Sequence, residues 1–244
     1  MRRRFFVDRF DGRHAILRDD AAHHAARVLR VAPGQLYELT DGRELWLAEV
    51  ESAGRDAVDF SLVERLPSAQ PALHSSLLLA IVKSDRFEWA LEKATELGIA
   101  EITPLAAARS EKGLIIAASK RAPRWEKILL ESSQQSRRLA APVLNPASAP
   151  AEAFGVAGRG AGAPVRLFLS ESPDAPLLRT VLGGVSPASR AVLAIGPEGG
   201  WTPGERSAAV SSGFLEVSLG PQILRTETAV AAALAVVNYA LSPE

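Results

Sequence analysis

The chain has 244 residues, of which 47% are apolar and 23% charged, and its 28 basic and 28 acidic side chains cancel. This composition excludes an intrinsically disordered protein and suits one large domain, or a small domain followed by a medium one. Cysteine is absent, which excludes disulfide bonds, thiolate metal sites and cysteine nucleophiles. The longest apolar run, residues 229–237, is shorter than the ~20 residues that cross a bilayer, and the start of the chain lacks a signal-peptide pattern. We therefore expect a soluble cytoplasmic protein.

The first quarter of the chain has the pattern of a small β-barrel. Short apolar segments alternate with Asp-Gly and Pro-Gly turn pairs, and one helix is predicted over residues 20–29. The predicted strands are residues 4–7, 15–17, 35–40, 45–51 and 57–63. Residues 66–71 contain two prolines and predict a linker, which gives a first domain over 1–67 and a second over 73–244.

The second domain alternates strands and helices. The continuous apolar run at residues 77–82 is typical of a strand buried on both faces, and Ser84 and Gly98 can begin and end the helix that follows. Further strands are predicted at residues 99–105, 165–169, 191–195 and 215–219. Further helices are predicted at residues 119–139, 177–182, 203–212 and 227–241. This alternation predicts an α/β fold with a parallel sheet. Residues 147–163, rich in Ala, Gly and Pro, predict a mobile surface loop.

Residues 195–201 form the first stretch that could carry chemistry, Ile-Gly-Pro-Glu-Gly-Gly-Trp, between a predicted strand and a predicted helix. Ligands of parallel sheets bind at the carboxyl ends of the strands, and glycines let a backbone approach a ligand closely. The stretch lacks the spacing of a dinucleotide-binding loop and the lysine of a phosphate loop. A ligand-binding loop and a plain turn both fit this segment alone.

Residues 219–229 form a second stretch of the same kind, Leu-Gly-Pro-Gln-Ile-Leu-Arg-Thr-Glu-Thr-Ala. Thr226 can cap the following helix, and Glu227 in its first turn suits the helix dipole. Arg225 gains nothing from that dipole, so a bound anion or a carboxylate partner would explain it better.

The two stretches together resemble the cofactor loops of the SPOUT superfamily of RNA methyltransferases, in particular the bacterial ribosomal RNA uridine-N3 methyltransferase family. Other segments of the chain match that family in order. They are Arg-Arg-Phe-Phe-Val near the start, His-Ala-Ala-Arg-Val-Leu-Arg at 24–30, Lys-Ala-Thr-Glu-Leu-Gly at 93–98, Ile-Thr-Pro at 102–104, Arg-Ser at 109–110 and Arg-Trp-Glu-Lys-Ile at 124–128.

The resemblance implies a PUA-like RNA-binding β-barrel followed by a SPOUT α/β domain with a deep trefoil knot. It also implies S-adenosylmethionine as cofactor, 16S ribosomal RNA or the small ribosomal subunit as substrate, and a homodimer formed through the knot region. No metal and no membrane are expected. The implied cofactor-binding residues are Leu169, Ser170, Gly196, Pro197, Glu198, Gly199, Gly200, Leu219, Gly220, Ile223, Leu224, Arg225 and Thr226.

The chemistry that the resemblance implies requires uracil N3 to lose its proton before it accepts a methyl group. Negative charge then develops on the flanking carbonyl oxygens, and a guanidinium such as that of Arg225 could stabilise it. Glu198 or Glu227 could act as the base, although a glutamate at the start of a helix is more often structural.

Basic residues near the start of the chain are candidates for RNA binding. Residues 1–30 contain eight arginines against four aspartates, so this region can bind phosphate although the whole chain is neutral. The candidates are Arg2, Arg3, Arg4, Arg9, His24, Arg27 and Arg30. Ordinary surface positions are the alternative, and the four histidines of the chain do not have the spacing of a zinc site.

Two other functions remain open at this point. One is ribose 2′-O-methylation of RNA by an enzyme of the same superfamily, and the other is a non-catalytic RNA-binding or assembly factor. The full-length resemblance argues against the first, and the intact cofactor loops argue against the second.

Overall fold

The computed structural model describes residues 3–68, 71–157, 163–185 and 190–242. It divides into two compact units, one of Met1–Gln70 with Glu131–Ala141 and the other of Pro71–Leu130 with Pro142–Glu244. No pattern in the sequence indicates that residues 131–141 belong with the first unit. None of the helices in the described ranges is long and apolar enough to span a membrane.

The first unit contains a curled five-stranded sheet in the order β1-β3-β4-β5-β2. Strand β1 pairs parallel to β3, and the other neighbours are antiparallel. The strands are β1 (Arg4–Phe6), β2 (His14–Arg18), β3 (Leu36–Thr40), β4 (Leu45–Ala53) and β5 (Ala57–Arg65). Phe60, Val58 and Leu39 are fully buried in its core, as the period of two along each strand requires.

A helix joins β2 to β3, but it is not the regular helix predicted over residues 20–29. It is a short α-helix, α1 (Asp19–His23), followed directly by a π-helical segment, His24–Val28. Within the π-helical segment the Leu29 amide donates to the carbonyl of His24, five residues earlier. Arg30 follows with a φ of +53°, which ends the helical path.

Arg4 is part of the interior of the first unit. Its guanidinium donates to the Glu38 carboxylate at 2.8 and 3.1 Å, and both side chains are 9% exposed. It also donates to the carbonyl of Arg137, whose own guanidinium pairs with Glu38. The hydroxyl of Thr40 donates to the Leu139 carbonyl at 2.8 Å. A buried charge is stable only when it is paired, so these contacts attach the 131–141 segment to the barrel.

The second unit contains a six-stranded parallel sheet in the order β11-β9-β10-β6-β7-β8. The strands are β6 (His74–Ala80), β7 (Glu101–Leu105), β8 (Val143–Leu144), β9 (Val165–Leu169), β10 (Arg190–Ile195) and β11 (Leu215–Val217). The helices that follow β5 in the chain are α2 (Ser84–Glu96), α3 (Lys112–Gln135), α4 (Pro150–Val156), α5 (Leu178–Gly183), α6 (Pro203–Ser211) and α7 (Thr226–Leu241). The last residues of α3, from Glu131, belong to the first unit.

Both faces of this sheet are buried, as the continuous apolar run in β6 predicts. Leu77 and Leu79 belong to a cluster with α2, α3, α5 and α7, whereas Leu78 belongs to a cluster with α4 and α6. Alternate side chains of one strand thus enter the two cores. The α/β prediction for this part of the chain is confirmed.

Four local predictions for the second unit were wrong: β8 was not predicted, and α4, α3 and Ser84 differ from their predictions. Residues 150–156 are the helix α4 and not a loop, because Phe154 is buried against Phe168, Trp201 and Phe214. The rest of the predicted loop includes residues 158–162, which lie outside the described ranges.

Helix α3 starts at Lys112, earlier than predicted, because Leu114, Ile115 and Ala118 pack on the core. It also ends earlier, since Arg137 has a φ of +56°. Ser84 does not cap α2; it is the first helical residue, and Lys83 precedes it without a side-chain cap.

Candidate functional site

A cavity of about 410 Å³ opens at the carboxyl ends of β9, β10 and β11 in the second unit. Three loops line it, one after each strand, together with the first turn of α7. A parallel sheet presents these ends at one edge, where ligands of open α/β folds bind. The volume is in the range of small-molecule and cofactor sites.

The cavity brings together all the predicted cofactor-binding residues except Arg225. The residues of that prediction that line it are Leu169, Ser170, Gly196, Pro197, Glu198, Gly199, Gly200, Leu219, Gly220, Ile223, Leu224 and Thr226. Two stretches that are about 25 residues apart in sequence therefore form one site, together with the end of β9.

Trp201 fixes the shape of the loop after β10. Its indole N–H donates to the Leu169 carbonyl at 2.9 Å, and its ring stacks on Phe168 with centroids 4.8 Å apart. A Cβ atom at Gly196 would lie 2.9 Å from two atoms of the indole, so only glycine fits between this ring and the loop. Gly200 has a φ of +68°, a conformation that glycine adopts without strain.

Thr226 connects the loop after β10 to α7. The prediction made it a helix cap, but it is the first residue of α7, and Arg225 occupies the cap position without a side-chain cap bond. The hydroxyl of Thr226 instead donates to the Gly196 carbonyl at 3.1 Å. Thr226 is 4% exposed, so this hydrogen bond forms away from water and joins the two predicted stretches directly.

Arg86, a residue that the sequence analysis missed, lies behind the cavity on α2. Its guanidinium pairs with Glu198 and approaches Glu227, with 3.9 Å between Arg86 Nε and Glu227 Oε1. The other oxygen of Glu227 is buried and has no hydrogen-bond partner within the described part of the chain. Both candidate bases therefore share one guanidinium. Arg86 lies shortly after the end of β6, which is adjacent to β10 in the sheet. Its position near the carboxyl end of a strand is the sequence signal that could have identified it as a site residue.

Two further arginines line the cavity and were not among the predicted site residues. Arg109 Nη1 donates to the Gly199 carbonyl at 2.7 Å. Arg206 Nη2 lies 3.3 Å from both Ser170 Oγ and Glu216 Oε1. The first was visible as part of the Arg-Ser motif at 109–110, whereas nothing in the sequence relates Arg206 to the cavity. The two guanidiniums line the cavity together with the carboxylates of Glu171 and Glu198.

Arg225 is exposed and does not line the cavity. Its backbone is extended, with φ −64° and ψ 150°, immediately before α7. Within the described residues it forms no ion pair, so no carboxylate of the described chain explains it. The structure places it next to the cavity-lining Leu224 and Thr226, with its guanidinium available to another molecule.

The predicted RNA-binding residues of the first unit differ in their surroundings. Five are exposed and available to a ligand: Arg3, Arg9, His24, Arg27 and Arg30. Arg2 lies outside the described residues. Arg4 is buried against Glu38 and Arg137, so it is a structural residue and not a free cation of the basic arm. Across the described ranges, no group of three histidine or carboxylate side chains could hold a metal ion.

Two family models match this chain. An RNA methyltransferase domain matches residues 69–238, and an RNA methyltransferase PUA domain matches residues 17–63. The chain belongs to the RNA methyltransferase family.

Relatives within this RNA methyltransferase family match nearly the whole chain. The ribosomal RNA small subunit methyltransferase E of Mycobacterium bovis is 34% identical over 98% of this chain and 92% of its own length. The protein of the same name from Synechocystis is 32% identical over 90% of this chain and 71% of its own.

A solved structure of the same family supports the fold. The crystal structure of a ribosomal RNA small subunit methyltransferase E from Neisseria gonorrhoeae, bound to S-adenosyl methionine, has a TM-score of 0.86 at 29% identity and covers 98% of both chains. The predicted family and the combination of a PUA-like barrel with a SPOUT α/β domain are thus confirmed, while the trefoil knot stays a prediction.

Proposed function

We propose that this chain transfers the methyl group of S-adenosylmethionine to N3 of a specific uridine in 16S ribosomal RNA of the small subunit. The observation that carries the proposal is the single cavity that the three loops form at the carboxyl ends of β9, β10 and β11. The similarity of the chain to proteins named for small-subunit ribosomal RNA methylation supports the substrate class. Such a substrate would place the enzyme in the cytoplasm.

The cavity has the features that this cofactor requires. The glycines at positions 199 and 200 leave loop backbone accessible to a flat group. The guanidiniums of Arg109 and Arg206 complement the carboxylate of the cofactor's amino-acid part. When bound, S-adenosylmethionine supplies an electrophilic methyl group on a sulfonium. The residues of the chain then have to hold the acceptor in line with that group.

Arg225 is the residue that we propose acts on the uracil. Once N3 has lost its proton, charge resides partly on the two flanking carbonyl oxygens, and a guanidinium can donate to such an oxygen. The exposure of Arg225 beside the cavity fits this role. Glu198 and Glu227 remain the candidate bases, but their shared contact with Arg86 favours an anchoring role for both.

The first domain, proposed over residues 1–67, would bind the RNA. Arg3, Arg9, His24, Arg27 and Arg30 are exposed there and can contact phosphates, which position a nucleic acid without reading its sequence. The second domain, proposed over residues 73–244, would bind the cofactor.

The exposed face of α7 supports a homodimer. Tyr239 is 93% exposed and Val236 37%, and Ile223 in the preceding loop is 79% exposed. Val236 and Tyr239 lie one turn apart near the end of α7, and exposed large apolar side chains are typical of protein interfaces. We propose that a second copy of the chain covers this face together with the loop at Ile223, which would bring Arg225 close to the subunit interface.

One assay tests the proposed reaction. The purified chain is incubated with methyl-labelled S-adenosylmethionine and small ribosomal subunits, and the labelled nucleoside is identified by mass spectrometry. 3-Methyluridine is the expected product. A 2′-O-methylated nucleoside would point to ribose methylation. The absence of labelled methyl groups from the ribosomal RNA would point to a non-catalytic binding factor. Either result would overturn the proposal.

A further inference from the structure

An open groove of about 610 Å³ lies on the first unit, between the end of the π-helical segment and the start of β3. Val28, Leu29 and Leu36 supply apolar surface, and Arg3, Gln35 and Tyr37 supply polar groups. In the part of the chain that the structure describes, no carboxylate lines this groove. Glu49 lies opposite Leu36 in the sheet register and is not among the lining residues.

The π-helical segment leaves an apolar side chain on the surface at this groove. Val28, its last residue, is 63% exposed. It lies between the exposed Arg27 and the half-buried Leu29. π-helical turns are rare and are found often at functional sites. An exposed apolar side chain beside a cation can contact the face of a base while the cation contacts its phosphate.

Gln35 presents a hydrogen-bond donor to the groove. Its Oε1 accepts from the Ala32 backbone N–H at 3.0 Å and from the Tyr37 hydroxyl at 2.9 Å. A backbone N–H can only donate, so the atom that faces it must be the amide oxygen and not the nitrogen. The amide nitrogen is therefore not the atom that these two groups contact. Within residues 3–68 it has no hydrogen-bond partner, and it can donate to a ligand.

The surroundings of the groove favour an anion. Arg3 is part of the groove, and Arg27 and Arg30 are exposed at the end of the helical segment beside it. A phosphate that neutralises such cations also releases counterions, which makes binding favourable at low salt. Apolar contact surface, a fixed donor and cations together match the parts of a nucleotide.

We propose that this groove binds one unpaired nucleotide of the RNA substrate whose base carries a carbonyl oxygen. The base lies against Val28, a carbonyl oxygen accepts from the Gln35 amide, and the phosphate contacts Arg3. Uracil, guanine and cytosine have such an oxygen, whereas adenine has none. The inference rests on the proposed function, since it assigns a subsite for the RNA that the second unit would methylate.

The variant Gln35→Glu tests the donor directly. One oxygen of the new carboxylate can still accept from Ala32 and Tyr37, while the other replaces the donating nitrogen with an acceptor. Binding of the full chain to short fluorescent oligouridine and oligoadenosine, each of about eight nucleotides, is measured by anisotropy. The wild type should prefer oligouridine, and Gln35→Glu should reduce that preference by about fivefold or more, since a hydrogen bond is lost and a repulsion gained.

Gln135→Glu is the matched control, because Gln135 is exposed in the same unit, lies outside the groove and gains the same charge. It should keep the wild-type preference. An oligomer that contains 4-thiouridine should form photo-crosslinks to residues 28–37. An unchanged preference in Gln35→Glu, crosslinks only outside the groove, or no binding of either oligomer by the wild type would each overturn the subsite. Methyl transfer to small subunits by the wild type is measured in parallel, so failure of the subsite and failure of the proposed function give different results.

Discussion

Gly196→Ala should close part of the cavity without unfolding the chain. The new Cβ would lie 2.9 Å from Cε2 and Nε1 of Trp201, whereas carbon atoms in good contact are about 3.5–4.0 Å apart. The indole must therefore withdraw by about 0.5–1 Å. It cannot do so freely, because it donates to the Leu169 carbonyl at 2.9 Å and stacks on Phe168 at 4.8 Å. Overpacking of this kind costs about 1–3 kcal/mol.

The same substitution at Gly204 is the control. A Cβ there would meet no atom within 4 Å, and the residue lies exposed in α6, so stability should change by less than about 1 kcal/mol. Gly196→Ala should lower the melting temperature by roughly 2–10 °C. It should also weaken S-adenosylmethionine binding at least about tenfold in calorimetry. The reason is that a small displacement of Trp201, which lines the cavity, misplaces the groups that would contact the cofactor. If folded Gly196→Ala binds the cofactor as well as Gly204→Ala does, this cavity is not the cofactor site.

Three other predictions concern arginines. Arg86→Gln should weaken cofactor binding about tenfold, because it releases the carboxylates that hold the loop and α7 together. Arg124→Gln, which breaks the pair between the exposed Arg124 of α3 and Glu88 of α2, should change it less than about twofold, and equal effects would contradict the anchoring role. Arg225→Ala should keep cofactor affinity but slow single-turnover methyl transfer ~100-fold or more, and Arg225→Lys should also slow it; a near wild-type rate for Arg225→Ala would remove Arg225 from the site. Replacing Arg3 and Arg9 by Ala should weaken RNA binding and reduce its salt slope by roughly one unit per lost phosphate contact, and an unaltered slope would show that neither contacts phosphate.

Most strands of the second unit were predictable because burial gives them a recognisable pattern, although the two-residue β8 was not predicted. Residues 77–80 of β6 and 191–195 of β10 are apolar at every position, and β9 is apolar except at Arg166, as expected of strands covered on both faces. Helix α4 was not predictable from composition. Its seven residues are too few to form a helix by propensity alone, and the burial of Phe154 among three aromatic rings decides its structure.

The candidate site was predictable in part for a similar reason. The loops that follow the strands of a parallel sheet lie at one edge, so the stretches at 195–201 and 219–229 were expected at the same edge, although β9 lies between β10 and β11. The side chains that arrive from elsewhere were not. Arg86 reaches the site from α2 and Arg206 from α6, and no local pattern shows which way a long side chain turns. Likewise Arg4 lies in an arginine-rich stretch that predicts exposed cations. Only the structure shows that it is buried and paired with Glu38.

The hydrogen bond from Thr226 to Gly196 connects the loop after β10 to the first turn of α7. A ligand that orders the loop after β10 also restrains the first turn of α7, and α7 carries the exposed Val236 and Tyr239. If a second copy covers that face, occupancy of the cavity and self-association are linked, and linkage between two binding events is reciprocal. Cofactor should then tighten the dimer by the same factor by which dimerisation tightens cofactor binding. Thr226→Val, which keeps the shape but removes the donor, should reduce both effects together.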